Sequence, residues 1–544
     1  MSKPKILTKR ARFGSSLDHG DAHAADHSRW SRRDFLSSLG ALSAGAMLLG
    51  GTPVRAMGMS PLMAGIQRMD EERILVLIQL KGGNDGLNTV IPFNDDIYYN
   101  LRPGISIPKN DASAFSVSGD LGLHPSLAPL EALYGDGQMS VIQNVGYPEP
   151  TLSHFRSTDI WQTATDHDVI KGTGWLGRYL DIVTPDFLER PPEKPLAVQI
   201  GSGTAQLFTG PNANMGMQLI SNEFLQRLAD GELYNQNAVP DTKYGNEMSF
   251  LRSITNNSFR YAEAISAASQ EGENEIDYPA GEGKLATNLA TVARLIKGGL
   301  GARIYHVSLQ GFDTHSAQAS SHGGLLNTVA NNVSAFLQDL AGVNSDTKIL
   351  TMTYSEFGRR AEQNGSGGTD HGEAAPLFLF GPGVKGGLTG GVPQLRNINN
   401  GNVPHEIDFR SVYGTILQDW FGFSQFAVQG ALFGFPYQRL GVIDSVAPVS
   451  EEGGEQPQQF ELQQNFPNPF NPTTTINYTL MKAGSVKLEV FDLEGKRISV
   501  LVDRSQPAGV YQVPFDAGNL PSGTYIYRLR SNEGVVSKKM VLLR

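Results

Sequence analysis

Between residues 73 and 440, apolar β-branched runs alternate with stretches of helical period. Residues 73–80 (RILVLIQL) form one continuous apolar run ending at Gly82-Gly83, the pattern of a strand buried on both faces. Residues 139–145, 302–309, 348–354 and 376–380 read the same way. Amphipathic helices are predicted over 285–296, 325–340 and 409–421, the last with Asp408 placed as its N-cap. This alternation predicts a parallel, doubly wound α/β domain, in which ligands sit beyond the carboxyl ends of the strands. After a polar Gly/Pro/Glu stretch at 446–459 the pattern changes to short β-rich segments at 475–480, 485–491, 497–502, 509–515, 523–530 and 535–543. Turn signals such as Asp492-Leu493-Glu494-Gly495 separate them, which predicts an all-β immunoglobulin-like sandwich. The expected organisation is therefore a leader at 1–56, the α/β domain at 57–445, a linker at 446–459 and the sandwich at 460–544.

Composition narrows the chemistry. The 544 residues include no Cys, which removes disulfides, thiolate metal sites and Cys nucleophiles and leaves His, Asp, Glu, Ser and Thr. Net charge is −10, and because residues 1–56 hold nine Lys and Arg against four Asp and Glu, the remainder carries 35 against 50. Such an acidic surface argues against nucleic-acid binding. The portion after residue 446 contains no His, so metal or acid–base chemistry is expected in the α/β domain.

Residues 1–27 are polar, lack an apolar period and are expected to be disordered. Ser31-Arg32-Arg33-Asp34-Phe35-Leu36, the mild apolar stretch 39–51 and Val54-Arg55-Ala56 then resemble a cleavable twin-arginine export signal. The apolar stretch is too short and too dilute in large apolar residues to span a bilayer, and no later run would, so no transmembrane segment is expected in the mature protein.

Polar groups at the strand ends carry the candidate chemistry. Lys81-Gly82-Gly83-Asn84-Asp85-Gly86 follows the first strand, where Asp85 reads either as a cation ligand or as part of a tight turn. In Gln310-Gly311-Phe312-Asp313-Thr314-His315, residues two apart share a face of an extended segment, so Asp313 and His315 can meet one ion. Glu356 closes another strand, with an ion pair to Arg359 or Arg360 as its alternative role. Asp370-His371 precedes the next strand, with a solvated loop as the alternative. Thr151, Ser153 and His154 open a helix, where a hydroxyl serves as a cap or, helped by exposed N–H groups, as a nucleophile. Arg156, Arg178 and Arg359 are compatible with an anionic substrate.

These motifs resemble two known groups, and the tail a third. Ser31-Arg32-Arg33-Asp34-Phe35-Leu36, Gly82–Asn88, Ser153-His154-Phe155, Gly311–His315, Ser355–Arg359 and Thr369–Gly372 are similar to the exported domain of unknown function 1501 family. More distantly, the motif order resembles the alkaline phosphatase and sulfatase superfamily, which implies an alkaline-phosphatase-like core. That resemblance would make Ser153 the nucleophile beside His154, place one metal on Asp313, His315 and His371, and a second on Asp85 and Glu356. The superfamily's Asp-His pair is here Glu356-Phe357, so the second metal loses an imidazole, and a formylglycine sulfatase is disfavoured by the Ser153–Ser157 spacing. The mixed oxygen and imidazole set favours Zn or Mn. Asn465–Thr474, Phe491–Gly495, Leu520–Tyr525 and Lys538–Arg544 resemble the C-terminal sorting domain of type IX secretion substrates, against the alternative of an adhesive β-module. The resemblances imply the twin-arginine translocase and the type IX machinery as partners, a cell-surface or secreted location, and a metal-dependent phosphate- or sulfate-ester hydrolase. The other reading is a non-catalytic surface-binding protein on a degenerate fold.

Overall fold

A computed structural model describes residues 72–445 except 189, 202–205, 220–257, 344–346 and 399, and residues 460–543 except 463, 464, 466, 467, 469, 483, 507, 508 and 519. The expected export signal and the 446–459 linker lie outside the described residues. The chain divides into two compact units, Met1–Val449 and Ser450–Arg544.

The first unit is built on a sheet of β1 (Glu72–Lys81), β2 (Met139–Gly146), β3 (Ala197–Ile200), β4 (Gly216–Leu219), β5 (Ile304–Gln310), β6 (Thr347–Tyr354), β7 (Ala375–Phe380), β8 (Gly387–Thr389) and β9 (Ile407–Asp408). Their order is β8-β2-β7-β6-β1-β5-β3-β4, with β9 added against β2. β1 lies between β5 and β6, parallel to both, which is why its sequence is apolar without alternation. Ile74, Val76, Ile78 and Leu80 enter one apolar layer and Leu75 and Leu77 the other. Each such side chain, fully buried, contributes about 1.5–3 kcal/mol. Helices that cover the two faces include α1 (His154–Thr163), α2 (Trp175–Val183), α3 (Leu285–Lys297), α4 (Gln318–Leu340) and α5 (Phe409–Thr415). α3 and α4 pack on the first layer, and α1, α2 and α5 on the second.

The sheet is mixed rather than wholly parallel, which corrects the sequence expectation. β7 runs antiparallel to both β2 and β6, while the other strand pairs are parallel. The chain leaves β6, makes an excursion, and returns through His371–Gly372, which pairs antiparallel with Gly358–Arg359. With no crossover helix to carry it to the far edge, it re-enters the sheet from the end at which β6 left. As a result, the residues just before β7 lie at the carboxyl edge of its neighbours. Helix α4 starts two turns earlier than its periodicity predicts, because Gly323-Gly324 breaks the sequence pattern without breaking the helix. At Gly323 an added Cβ would stand 3.2 Å from His124 and Ser126, so the glycine permits close packing. The predicted 409–421 helix becomes π-helical after α5, over Ile416–Trp420.

The second unit consists of two antiparallel sheets. One holds Glu461–Leu462, Thr473–Leu480 and Gly509–Asp516, and the other Gly484–Phe491, Arg497–Gln506, Gly523–Ser531 and Gly534–Leu542. Ile476, Tyr478 and Leu480 share one apolar core with Leu488, Val490, Tyr527 and Leu529.

Candidate metal centre

Three strand ends and one helix start converge at the carboxyl edge of the first sheet. β1 turns at Gly82 and Gly83, both at positive φ (123° and 90°). A Cβ on Gly82 would lie 2.2 Å from the Asp313 backbone nitrogen, and one on Gly83 2.4 Å from the Phe357 ring, so both positions require glycine. After β5 the side chains alternate, with Phe312 and Thr314 buried and Asp313 and His315 turned outward. After β6, the Ser355 hydroxyl donates to the Leu80 carbonyl (2.7 Å) and accepts from the Asn84 N–H (2.9 Å), tying β6 to β1. Leu152, at φ 54°, ends the loop from β2, and Ser153 and His154 open α1.

The structure brings His154, Asp313, His315, Glu356 and His371 together. Ligand atoms of His154, Asp313 and His371 all lie within 4.8 Å of one another. His371 Nε2 and His315 Nε2 are each 3.1 Å from Asp313 Oδ1 and 3.0 Å from each other. His154 Nε2 is 3.4 Å from Asp313 Oδ2, and its Nδ1 is 3.0 Å from Glu356 Oε1. Glu356 is buried, and its Oε1 also accepts from the Gly82 N–H (2.9 Å). Its Oε2 has no hydrogen-bond partner.

The hydrogen bonds behind the imidazoles assign their tautomers. His371 Nδ1 lies 2.8 Å from the Leu152 carbonyl oxygen, which only accepts, so Nδ1 donates and Nε2 of the neutral ring carries a lone pair. His315 Nδ1 lies 3.2 Å from Asp370 Oδ1 and donates in the same way. Two Nε2 lone pairs and a carboxylate oxygen thus point at one another, an arrangement that repels unless a proton or a cation lies between them. Backbone and carboxylate acceptors behind ligating imidazoles are the usual support of a metal site. This set of carboxylate oxygen and imidazole nitrogens fits a divalent cation.

Arg359 braces the cluster. It is 1% exposed and donates to the carbonyls of Gly82, Gly83 (2.8 Å), Phe312 (2.8 Å) and Thr369 (2.7 Å), and to Asp313 Oδ1 (2.8 Å). Burial alone would raise the Asp313 pKa, but the imidazoles that face it (His154, and His315 and His371 whenever they take a second proton at Nε2) and the Arg359 guanidinium hold it well below the carboxylate range. Burial would lower the pKa of His154, yet hydrogen bonds and charge from Asp313 and Glu356 push it up to about 9. For His371, burial dominates and the pKa falls, with Arg359 and His154 adding to the effect and Asp313 opposing it.

Other expected residues lie elsewhere. Asp85 is fully buried in an ion pair with Arg102 (2.5 Å) and accepts from Gln318, so it is engaged outside the His154–Asp313–His371 cluster. The Thr151 hydroxyl is bonded to Ser157 (3.3 Å), whereas Ser153 makes no side-chain capping bond. Arg359 pairs with Asp313 rather than with Glu356. Arg156 and Arg178 donate to backbone carbonyls, including those of His167, Val169, Thr163 and Ala431. Phe357 packs its ring on His371 (4.4 Å between centroids) and His154 (5.0 Å), walling one side of the cluster. Asp370, read in the sequence together with His371, supports the site through His315, while Gln318 and the Leu152 carbonyl support it without any sequence signal of ligand type.

The first unit is thus an α/β body with a His/Asp cluster at the carboxyl edge of its sheet. Residues 72–419 match the family described as protein of unknown function (DUF1501), and the chain belongs to that family. Residues 464–543 match the secretion system C-terminal sorting domain, which marks the chain for the type IX machinery and for export to the cell surface or the medium. Among curated proteins no sequence matches. Solved structures similar to it include a protein in the alkaline phosphatase superfamily from Vibrio parahaemolyticus, at 10% identity over 86% of this chain and 91% of that one, with a TM-score of 0.29. Alkaline phosphatase from the Antarctic bacterium TAB5 matches at 9% identity over 59% and 94%, with a TM-score of 0.25. PorZ, a surface component of the type IX secretion system of Porphyromonas gingivalis, matches at 13% identity over 19% of this chain and only 14% of its own length, with a TM-score of 0.12. Scores this low assign no residue its role. No helix among the described residues is long and apolar enough to cross a membrane.

Proposed function

We propose that the first unit is a metal-dependent hydrolase of phosphate or sulfate esters, carried out of the cell by a twin-arginine leader and the sorting tail, whose sandwich we take to be immunoglobulin-like. The observation that carries this reading is the convergence of Asp313 with the Nε2 atoms of His315 and His371, whose Nδ1 hydrogens are spent on Asp370 and the Leu152 carbonyl. His154, Asp313 and His371 hold one ion, with His315 against both Asp313 and His371, and Glu356 behind His154. A bound Zn or Mn ion supplies Lewis-acid polarisation of the ester. Ser153 is the nucleophile, at a helix start where N–H groups and the helix dipole favour an anionic group. Glu356 orients His154 through Nδ1, and Arg359 fixes Asp313. Asp85, paired with Arg102, supports the frame rather than a second ion.

A non-catalytic metal-pinned binding protein is the second reading. It is favoured by the Phe357 ring standing against His371 and by the commitment of Arg156 and Arg178 to carbonyls. The test is hydrolysis of aryl phosphate mono- and diesters and aryl sulfates by the Zn- or Mn-loaded full chain. The hydrolytic reading expects turnover that falls to background in Ser153→Ala and Asp313→Ala. Stoichiometric metal without turnover of any of these esters leaves the binding reading.

A further inference from the structure

Gln318, the first residue of α4, is fully buried and lies outside the ligand cluster. Its side-chain oxygen accepts from two hydroxyls, Thr314 Oγ1 (3.1 Å) and Thr369 Oγ1 (2.7 Å). Thr314 stands between Asp313 and His315, and Thr369 stands two residues before His371, so one amide oxygen holds both segments that supply the cluster. The amide nitrogen of Gln318 donates to Asp85 Oδ2, an oxygen that also receives Arg102 Nη1 (2.5 Å). A carboxylate only accepts, so the Asp85–Arg102 pair dictates which end of the Gln318 amide faces the threonines. Backbone bonds follow the same seam: the Thr369 N–H donates to the Thr314 carbonyl (3.1 Å) and the Gln318 N–H to the Gly367 carbonyl (3.0 Å). Asn364 closes the seam from the other side, donating to the His315 carbonyl (2.8 Å) and Asp370 Oδ1 (3.3 Å).

We propose that Gln318 is a positioning residue for the metal centre: its amide, oriented by the buried Asp85–Arg102 pair, locks the 313–315 and 369–371 segments in the register at which Asp313, His315 and His371 meet. The inference rests on the metal-binding reading of that cluster. It also gives the acid after the first strand a role, as the anchor of a hydrogen-bond chain that ends at the ligands and not as a ligand itself.

The experiment titrates the full chain with Co2+ alone, reading affinity and the visible ligand-field spectrum for the parent, Gln318→Leu and the double variant Thr314→Val/Thr369→Val. The double variant leaves the Gln318–Asp85–Arg102 chain in place and serves if Gln318→Leu fails to fold. The expected result is a loss of affinity of about 10- to 100-fold in the folded variants, with an altered Co2+ spectrum that lower stability alone would not produce. Parent affinity and an unchanged spectrum in the variants would overturn the positioning role while leaving the metal site standing. A parent that binds no Co2+ would overturn the metal reading and this inference with it.

Discussion

Arg359 ties together the segments that form the cluster. Its guanidinium reaches backbone carbonyls after β1 and β5, the Thr369 carbonyl and Asp313, so its removal would leave several buried acceptors and one carboxylate without a donor. Arg359→Met is expected to lower unfolding stability by about 3–5 kcal/mol, read from denaturant titration of the folded chain. A loss well under 1 kcal/mol would show that water satisfies these groups and that the brace is unimportant. At this scale the sequence exposes what periodicity controls. Asp313 and His315 are readable as a pair because an extended segment turns alternate residues to one side, and they lie 3.1 Å apart. Asp85 is readable as a strand-end acid, but nothing in the local pattern ties it to Arg102, which returns from a later loop to neutralise it. Gln318 is silent in sequence, because a glutamine in an Ala/Ser run has no spacing that marks it.

Among the elements, the turn after β1 is the most constrained. Gly82 combines φ 123° with a Cβ site 2.2 Å from the Asp313 nitrogen, so Gly82→Ala both strains the backbone and pushes the Asp313 segment away. A cost of about 1–3 kcal/mol is expected from strain of this kind, accompanied by weakened metal binding, and a variant with parent stability would contradict the close approach. The strands themselves are legible, since fully buried runs such as β1 and β6 have little compositional ambiguity. The direction of β7 is not. Residues 376–380 look alike whichever way they run, and only the absence of a crossover helix between β6 and β7 decides the matter. That reversal has a functional consequence, because it delivers His371 to the carboxyl edge where Asp313 and His315 stand.

For the whole molecule, buried imidazoles make stability pH-dependent. Burial lowers the pKa of His306 from 6.5 to about 3, and those of His322 and His124 to about 4, because each would have to charge inside the fold. The unfolded chain binds these protons first as pH falls, so the contribution of these three groups is full above about pH 6.5 and is lost toward pH 3, whereas that of His154, whose pKa is raised to about 9, is lost as pH rises toward 9. His306, which bonds the Tyr354 hydroxyl at 3.1 Å, accounts for about one proton of that slope. His306→Gln is expected to flatten the dependence of unfolding free energy on pH in that window, and an unchanged slope would place the acid sensitivity elsewhere. The two units divide the work along the chain: the eight His residues after residue 56 lie in the first, and the second carries the sorting signal. Whether the first unit holds a metal ion on Asp313 and its imidazoles is decided by elemental analysis of the folded full chain, purified without chelators. About one Zn or Mn per chain is expected, lost in Asp313→Ala/His371→Ala. A parent free of metal even after Zn and Mn are offered, and no more stable in their presence than the double variant, would contradict the metal reading.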